Sequence, residues 1–280
     1  MLENEFRLDS QPARRDSAGQ SVEGAYSRDE CLARASVYRM LAGVFAEEPG
    51  PRFLAELRNG QLLADLARAG VRFDADFLAA DLPALSDTLA CEYATLFAAS
   101  GGFPPVESVR LTGRYKQDPE FQVAATYRRL GFAVQKGRFE VFADQLGVEL
   151  GFVAALLERC STALEAGDEA LFRSLDKEVR RFWTLHLGRW VRGYSRLVER
   201  AAQHSFYREM ARFLHGFAEE EIAAMDLKRV EDLDQGRAVV PKGEIKLEFD
   251  PNEPVCGACP SGPAAGAPTT GVHALHDLRF

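Results

Sequence analysis

The apolar positions along most of this chain recur every three or four residues, which is the period of a helix face packed on a core. The longest such row runs through Phe139, Phe142, Leu146, Leu150, Val153, Leu157, Cys160 and Leu164. It predicts one continuous helix over Phe139–Leu164, about seven turns long, as the central core helix. Glu140 and Asp144 fall four apart near its start and so share a face, with Gln145 beside them and Glu149 a turn further on. An acidic cluster of this kind is either a solvated helix face or the end of a functional surface.

The same periodicity defines the other elements. Ser27 and Glu30 have the spacing of a capping box, and Leu32, Ala35, Tyr38, Leu41, Ala42 and Phe45 mark the helix behind it. Shorter helices are expected over Phe53–Ala69, Asp76–Leu82 and Ala84–Ala98, the last carrying Leu85, Leu89, Tyr93, Leu96 and Phe97. Phe103–Lys116 reads as the main irregular segment, because Pro104-Pro105 prevents a helix there. Asp118-Pro119 opens a helix that runs to Leu130 and ends at Gly131.

A second long helix is predicted over Asp168–Ala202, with Leu171, Leu175, Val179, Phe182, His186, Trp190 and Leu197 on its apolar side. Its other side carries Arg173, Lys177, Arg180, Arg181, Arg189, Arg192, Arg196 and Arg200, a solvated face by default or a partner for the acidic Glu219–Asp234 stretch. His186 lies inside the apolar stripe and reads as a hydrogen-bonded core histidine. His204–Phe217 and Glu219–Leu233 complete the helices. Strand patterns are almost absent, so the fold class is all-α: a single helical domain over 27–235, with flexible tails at 1–26 and 236–280.

Composition narrows the function. The chain has 280 residues, 46% hydrophobic, enough for one large core. A formal charge of -8 argues against general nucleic-acid affinity. No apolar run approaches a membrane span, and no signal-peptide pattern occurs, so the expected location is the cytoplasm without stable membrane insertion. No Gly-rich phosphate loop, GxSxG elbow or GxGxxG is present, nor the Glu-x-x-His pairs of di-iron bundles. Glu140 and Asp144 as an acid/base pair in a helical hydrolase are a weak enzymatic reading.

Of the five cysteines, Cys31, Cys91 and Cys160 lie singly in predicted helices and are expected to be reduced. Cys256 and Cys259 form a Cys-x-x-Cys, followed after 13 residues by His273 and His276. Two thiolates and two imidazoles satisfy tetrahedral zinc, although two residues separate the histidines where three to five are usual. A zinc-binding or redox adaptor acting through this tail is therefore an alternative function. No other cofactor is expected.

Five pieces in order resemble the TorD/DmsD/NarJ family of cytoplasmic chaperones, which assist assembly of molybdenum-cofactor oxidoreductases of the dimethyl-sulfoxide-reductase type. They are Glu92–Phe97, Pro105–Val109, Val123–Tyr127 with Gly131, Glu140–Leu150, and Phe182–Trp190, spanning roughly Ser27 to Ala202. Of the family's Glu-x-x-Pro-Asp-His signature the chain keeps Glu140 and Asp144, but has Ala143 for Pro and Gln145 for His. Glutamine hydrogen-bonds but does not titrate near neutral pH. The resemblance implies an all-helical, non-enzymatic chaperone that binds the catalytic subunit, through its N-terminal region or twin-arginine signal peptide, and holds it for cofactor insertion. Such a client needs carboxylates next to apolar surface. The expected client-binding residues are Tyr93, Phe97, Glu107, Ser108, Tyr115, Tyr127, Glu140, Asp144, Gln145 and Glu149. Monomer and helix-exchanged dimer both remain open.

Overall fold

A computed structural model describes residues 27–98, 101–134, 142–228, 230–237 and 273–274. The helix α1 (Arg28–Ala46) begins with the expected capping box, in which Ser27 and Glu30 each bond the other's backbone N–H. It lies along α8 (Leu146–Glu165), the most extensive pairing of elements in the fold. Helix α8 is apolar nearly all round. Leu146, Leu150, Val153 and Leu157 are buried, and so are Phe152, Ala154 and Leu156 on its other sides. A helix buried on every side is the centre of its domain.

Between these two lie α2 (Pro51–Leu57), α3 (Gly60–Arg68), α4 (Ala75–Leu78), α5 (Leu82–Tyr93) with a π turn at Ala94–Ala98, α6 (Glu107–Thr112) and α7 (Asp118–Arg129). After α8 come α9 (Glu169–Leu185), a 3-10 turn at Leu187–Arg189, α10 (Val191–Ala201) and α11 (Ser205–Ala224). The architecture is all-α. Its only described strands are β1 (Phe132–Ala133) and β2 (His273–Ala274), a two-residue parallel pairing. Aromatic rings knit the core: Tyr127, Phe132 and Phe182 surround Phe152 at 4.5, 5.1 and 4.8 Å. Tyr38 joins α1 to α9 and α11, accepting from Trp183 Nε1 at 2.7 Å and donating to Glu221 at 2.6 Å.

Several boundaries differ from the sequence expectation, each for a local reason. The central helix starts at Leu146 rather than Phe139, because the Gln145 side chain accepts from Val148 N and caps it there. Asp144 and Gln145 therefore precede the helix. The predicted long helix over Asp168–Ala202 breaks at His186, whose backbone (φ -128°, ψ -95°) is not helical. Gly188 permits that break, since a Cβ on it would sit 2.6 Å from the Trp183 carbonyl oxygen and 2.7 Å from Val230. Phe53–Ala69 is split because Asn59 accepts from Gln61 N and starts a new helix. Asp76–Leu82 shortens to α4, and α5 begins at Leu82, with Pro83 in its first turn where its missing N–H costs nothing. The segment Phe103–Lys116 is irregular at Pro104-Pro105 but then forms α6. Helix α11 runs unbroken through Ala218, where two helices were expected.

The basic face of α9 and α10 is largely engaged. Arg192 and Arg196 reach Glu219 and Asp232 at 3.5 and 2.7 Å, and Arg192 donates to the Val230 carbonyl at 2.7 Å. Gly193 lets the 230–237 segment lie on α10, because a Cβ there would come within 2.6 Å of the Gln235 and Gly236 nitrogens.

Helices α1 and α8 touch most closely where Gly147 faces Ala46. A Cβ at Gly147 would lie 2.6 Å from the Ala46 Cα and 2.7 Å from its backbone nitrogen. Gly147→Ala is therefore expected to destabilise the protein by about 1–3 kcal/mol, read as a lower urea midpoint. An unchanged midpoint would contradict this packing.

Candidate functional site

The start of α8 is where most of the sequence-predicted residues meet. The backbone of 105–108 pairs with that of 144–146: Leu146 N donates to the Pro105 carbonyl at 2.8 Å, and Glu107 N to the Asp144 carbonyl at 2.9 Å. Val106 and Gln145 form an antiparallel bridge between them. The Asp144 carboxylate accepts from Ser108 N at 2.8 Å, satisfying an N–H that the first turn of α6 leaves unpaired. The Gln145 carboxamide works at both ends, accepting from Val148 N and donating to the Phe45 carbonyl at 2.7 Å. Tyr93 donates to the Ala46 carbonyl at 3.1 Å, and Tyr127 to the Ala143 carbonyl at 3.0 Å. The end of α1, the loop before α6 and the start of α8 are thereby tied at one point.

Behind this joint lies a buried group of acids. Glu107, Asp144 and Glu149 are each fully buried, and His186 nearly so. The Glu107 Oε2 lies 3.0 Å from His186 Nδ1. One donor atom from each of Glu107, Glu149 and His186 falls within 4.8 Å of the others. Trp190 and Glu107 face the Glu149 carboxyl, but neither closes a well-formed hydrogen bond with it. Burial, then the charges of Glu107 and Asp144, push Glu149 well above the ordinary carboxylate range. Burial likewise raises Asp144, against the lowering effect of its Ser108 hydrogen bonds. His186 is thus the hydrogen-bonded core histidine expected from its place in the stripe, with a carboxylate as its partner.

A second buried ion pair closes the far side of α6. Arg110 donates to both carboxylate oxygens of Asp234 at 3.0 and 2.8 Å, bonds the Arg237 carbonyl, and packs over the Tyr194 ring. Both side chains are shielded from solvent, which makes the bidentate geometry matter. This clamp joins α6 to the segment after α11. Asp234 lies 124 positions from Arg110, and no local sequence signal links the two.

Of the ten expected client-binding residues, Glu107, Ser108, Tyr127, Asp144, Gln145 and Glu149 are buried together, and Phe97 is buried beside Phe45 at 6.1 Å between ring centroids. Tyr93 is partly covered. Tyr115 is 46% exposed and stacks on Phe142 at 4.8 Å. Glu140 lies outside the described residues. Of the expected zinc ligands, Cys256, Cys259 and His276 also lie outside them, and His273 is described through its backbone pairing with Phe132.

Concavities open on the surface of the described residues, two of them as follows. A cavity of about 490 Å³ between α1, α2, α3 and α11 has an apolar floor of Val37, Met40, Phe53, Leu57, Leu66 and Phe213. Glu56 and Asp65 stand on its rim, engaged in weak ion pairs with Arg52 and Arg68. From α3, Leu62 and Leu66 contribute to its wall. The other, of about 540 Å³, holds Asp76, Glu92 and His204. Its acids are committed to capping α11, since Glu92 accepts from His204 N and Asp76 from Ser205 N.

The family model described as nitrate reductase delta subunit matches residues 60–195. That stretch begins with α3, ends within α10, and contains the α6 and α8 sides of the joint with Glu107, Asp144, Glu149 and His186, but not the end of α1. The model it matches is that of the NarJ/TorD-type chaperone family. The resemblance carried by the sequence pieces above is thereby met on an independent footing. No curated protein and no solved structure matches the chain. The family is one of chaperones for molybdoenzymes rather than of catalysts. No helix among the described residues is long and apolar enough to cross a membrane.

Removing one partner of the Arg110–Asp234 pair strands a buried charge. Asp234→Ala is expected to cost about 3–5 kcal/mol of stability, measured by chemical denaturation. A loss below about 1 kcal/mol, the range of a surface ion pair, would contradict a buried clamp.

Proposed function

We propose that this protein is a cytoplasmic, non-enzymatic assembly chaperone that binds the catalytic subunit of a molybdenum-cofactor oxidoreductase and holds it while cofactor is inserted. The family match supports the general role. The observation that carries the client-binding reading is the open apolar cavity between α1, α2, α3 and α11, whose charged lining is Glu56, Asp65 and Arg39, the last held by Glu158. An amphipathic client helix buries its apolar face in such a groove and sets its basic residues against the rim. An N-terminal segment with an Arg-Arg pair followed by an apolar stretch, as in a twin-arginine signal peptide, has that chemistry. Glu56 and Asp65 are the side chains offered to it, because their present ion pairs are exposed and easily exchanged.

The acids first expected to meet the client serve a different purpose in this reading. Glu107, Asp144 and Glu149 stand behind the α8 joint and fix the scaffold, while Tyr115 stays available at its surface. A client site at the groove also lies partly outside the 60–195 stretch, on α1, α2 and α11. Recognition of a particular client is then free to differ between chaperones that share the joint.

The test is binding of a labelled peptide from the N-terminus of a molybdoenzyme catalytic subunit encoded by the same organism. Phe53→Asp, and separately the double charge reversal Glu56→Lys with Asp65→Lys, should each weaken binding at least tenfold without changing helicity by circular dichroism. Loss of binding on Tyr115→Ala, with both groove variants unaffected, would move the site to the α6–α7 surface and overturn the groove assignment.

A further inference from the structure

The contacts of the α8 joint do not satisfy the carboxyls of Glu149 and Glu107 completely. Glu149 is fully buried on the most apolar helix of the domain, and neither of its oxygens has a hydrogen-bond partner. Glu107 Oε1 is likewise buried and unpartnered. Leaving a carboxyl in this state is costly, so something must satisfy it. A proton on Glu149, directed toward Glu107, holds the two carboxyls together but leaves the His186 ring outside that contact. A cation placed among the three donors satisfies Glu149, Glu107 and a His186 nitrogen together.

We propose that Glu107, Glu149 and His186 form a buried binding site for a first-row divalent transition metal of the zinc type. Two carboxylate oxygens and one imidazole nitrogen are ligands such ions accept, and the imidazole favours them over magnesium or calcium. The charges balance: two carboxylates neutralise a divalent ion with the imidazole neutral. The donor atoms already lie within 4.8 Å of one another. Tetrahedral coordination at about 2.0–2.2 Å asks for spacings of roughly 3.4 Å, a closure within the reach of side-chain rotation. His186 Nδ1 and Glu107 Oε2, at 3.0 Å, are close enough now. The Trp190 indole N–H, itself buried without a partner, is placed to support the ligand carboxylate from behind. The three ligands come from α6, α8 and the turn after α9, so the ion would lock those elements together. This site is separate from the Cys/His tail and independent of the groove.

The experiment uses the full chain carrying Cys256→Ser and Cys259→Ser, which removes the thiolates of the tail. The protein is loaded with Co2+, desalted, and its metal content measured together with its visible spectrum. One Co2+ per chain is expected, without thiolate charge-transfer absorption, falling at least tenfold when Glu149→Gln is added. Less than a tenth of an equivalent in the cysteine variant overturns the site, and so does retention unaffected by Glu149→Gln. Thermal melting of the cysteine variant gives a second readout that does not depend on whether Glu149→Gln folds. Zn2+ should raise the melting temperature and a chelator should reverse it, whereas an unchanged temperature in both overturns the site.

Discussion

Everything in this fold depends on the backbone joint at the start of α8. There the Asp144 and Pro105 carbonyls accept hydrogen bonds from the opposite strand, and Gln145 bonds the end of α1 while capping α8. Backbone donors and acceptors buried this deeply must be paired, and few arrangements of three chain segments pair them all. The glycine at 147 then lets α1 and α8 come within backbone contact. The central helix is thus fixed in position and in rotation before its apolar faces are counted.

The rotation has a chemical consequence. It turns Glu149 inward, toward Glu107 from the adjoining segment and toward His186 at the break after α9. The break belongs to the same design, because a continuous helix over 169–201 would carry His186 on without the turn that Gly188 permits. A cluster of buried acids is expensive to hold, and here it is held by elements drawn from three parts of the chain. The open groove lies elsewhere, on α1, α2, α3 and α11, where half-buried apolar side chains line a cavity. In the proposed reading, rigid scaffold and receptive surface are separate, as suits a chaperone that binds and later releases its client.

Much of this was legible in the residues. The period of three and four predicted an all-helical chain, and Ser27 with Glu30 located the first helix to the residue. Phe152, Leu156 and their neighbours could be read as core because α8 is apolar on every side. What misled was continuity. The stripe from Phe139 to Leu164 has no break in period, but Gln145 competes for the first turn, and a side-chain cap is invisible to periodicity. The stripe from Leu171 to Leu197 likewise hid the His186 break, since a glycine in a helix pattern does not reveal what it must pass. The candidate site was half legible. The residue types and order of Glu107, Asp144, Gln145 and Glu149 stood out, but whether a carboxylate faces water or the core is set by tertiary packing. The Asp234 partner of Arg110 and the groove rim are long-range facts with no local signal.

The central claim is that the groove receives the client. A photo-crosslinking amino acid placed at Leu62, on the groove wall, tests it in cells growing by anaerobic respiration. The account predicts a covalent adduct with a molybdoenzyme catalytic subunit, identified by mass spectrometry, that increases when cofactor synthesis is blocked. Adducts to that subunit from position 115 but none from position 62 would contradict it.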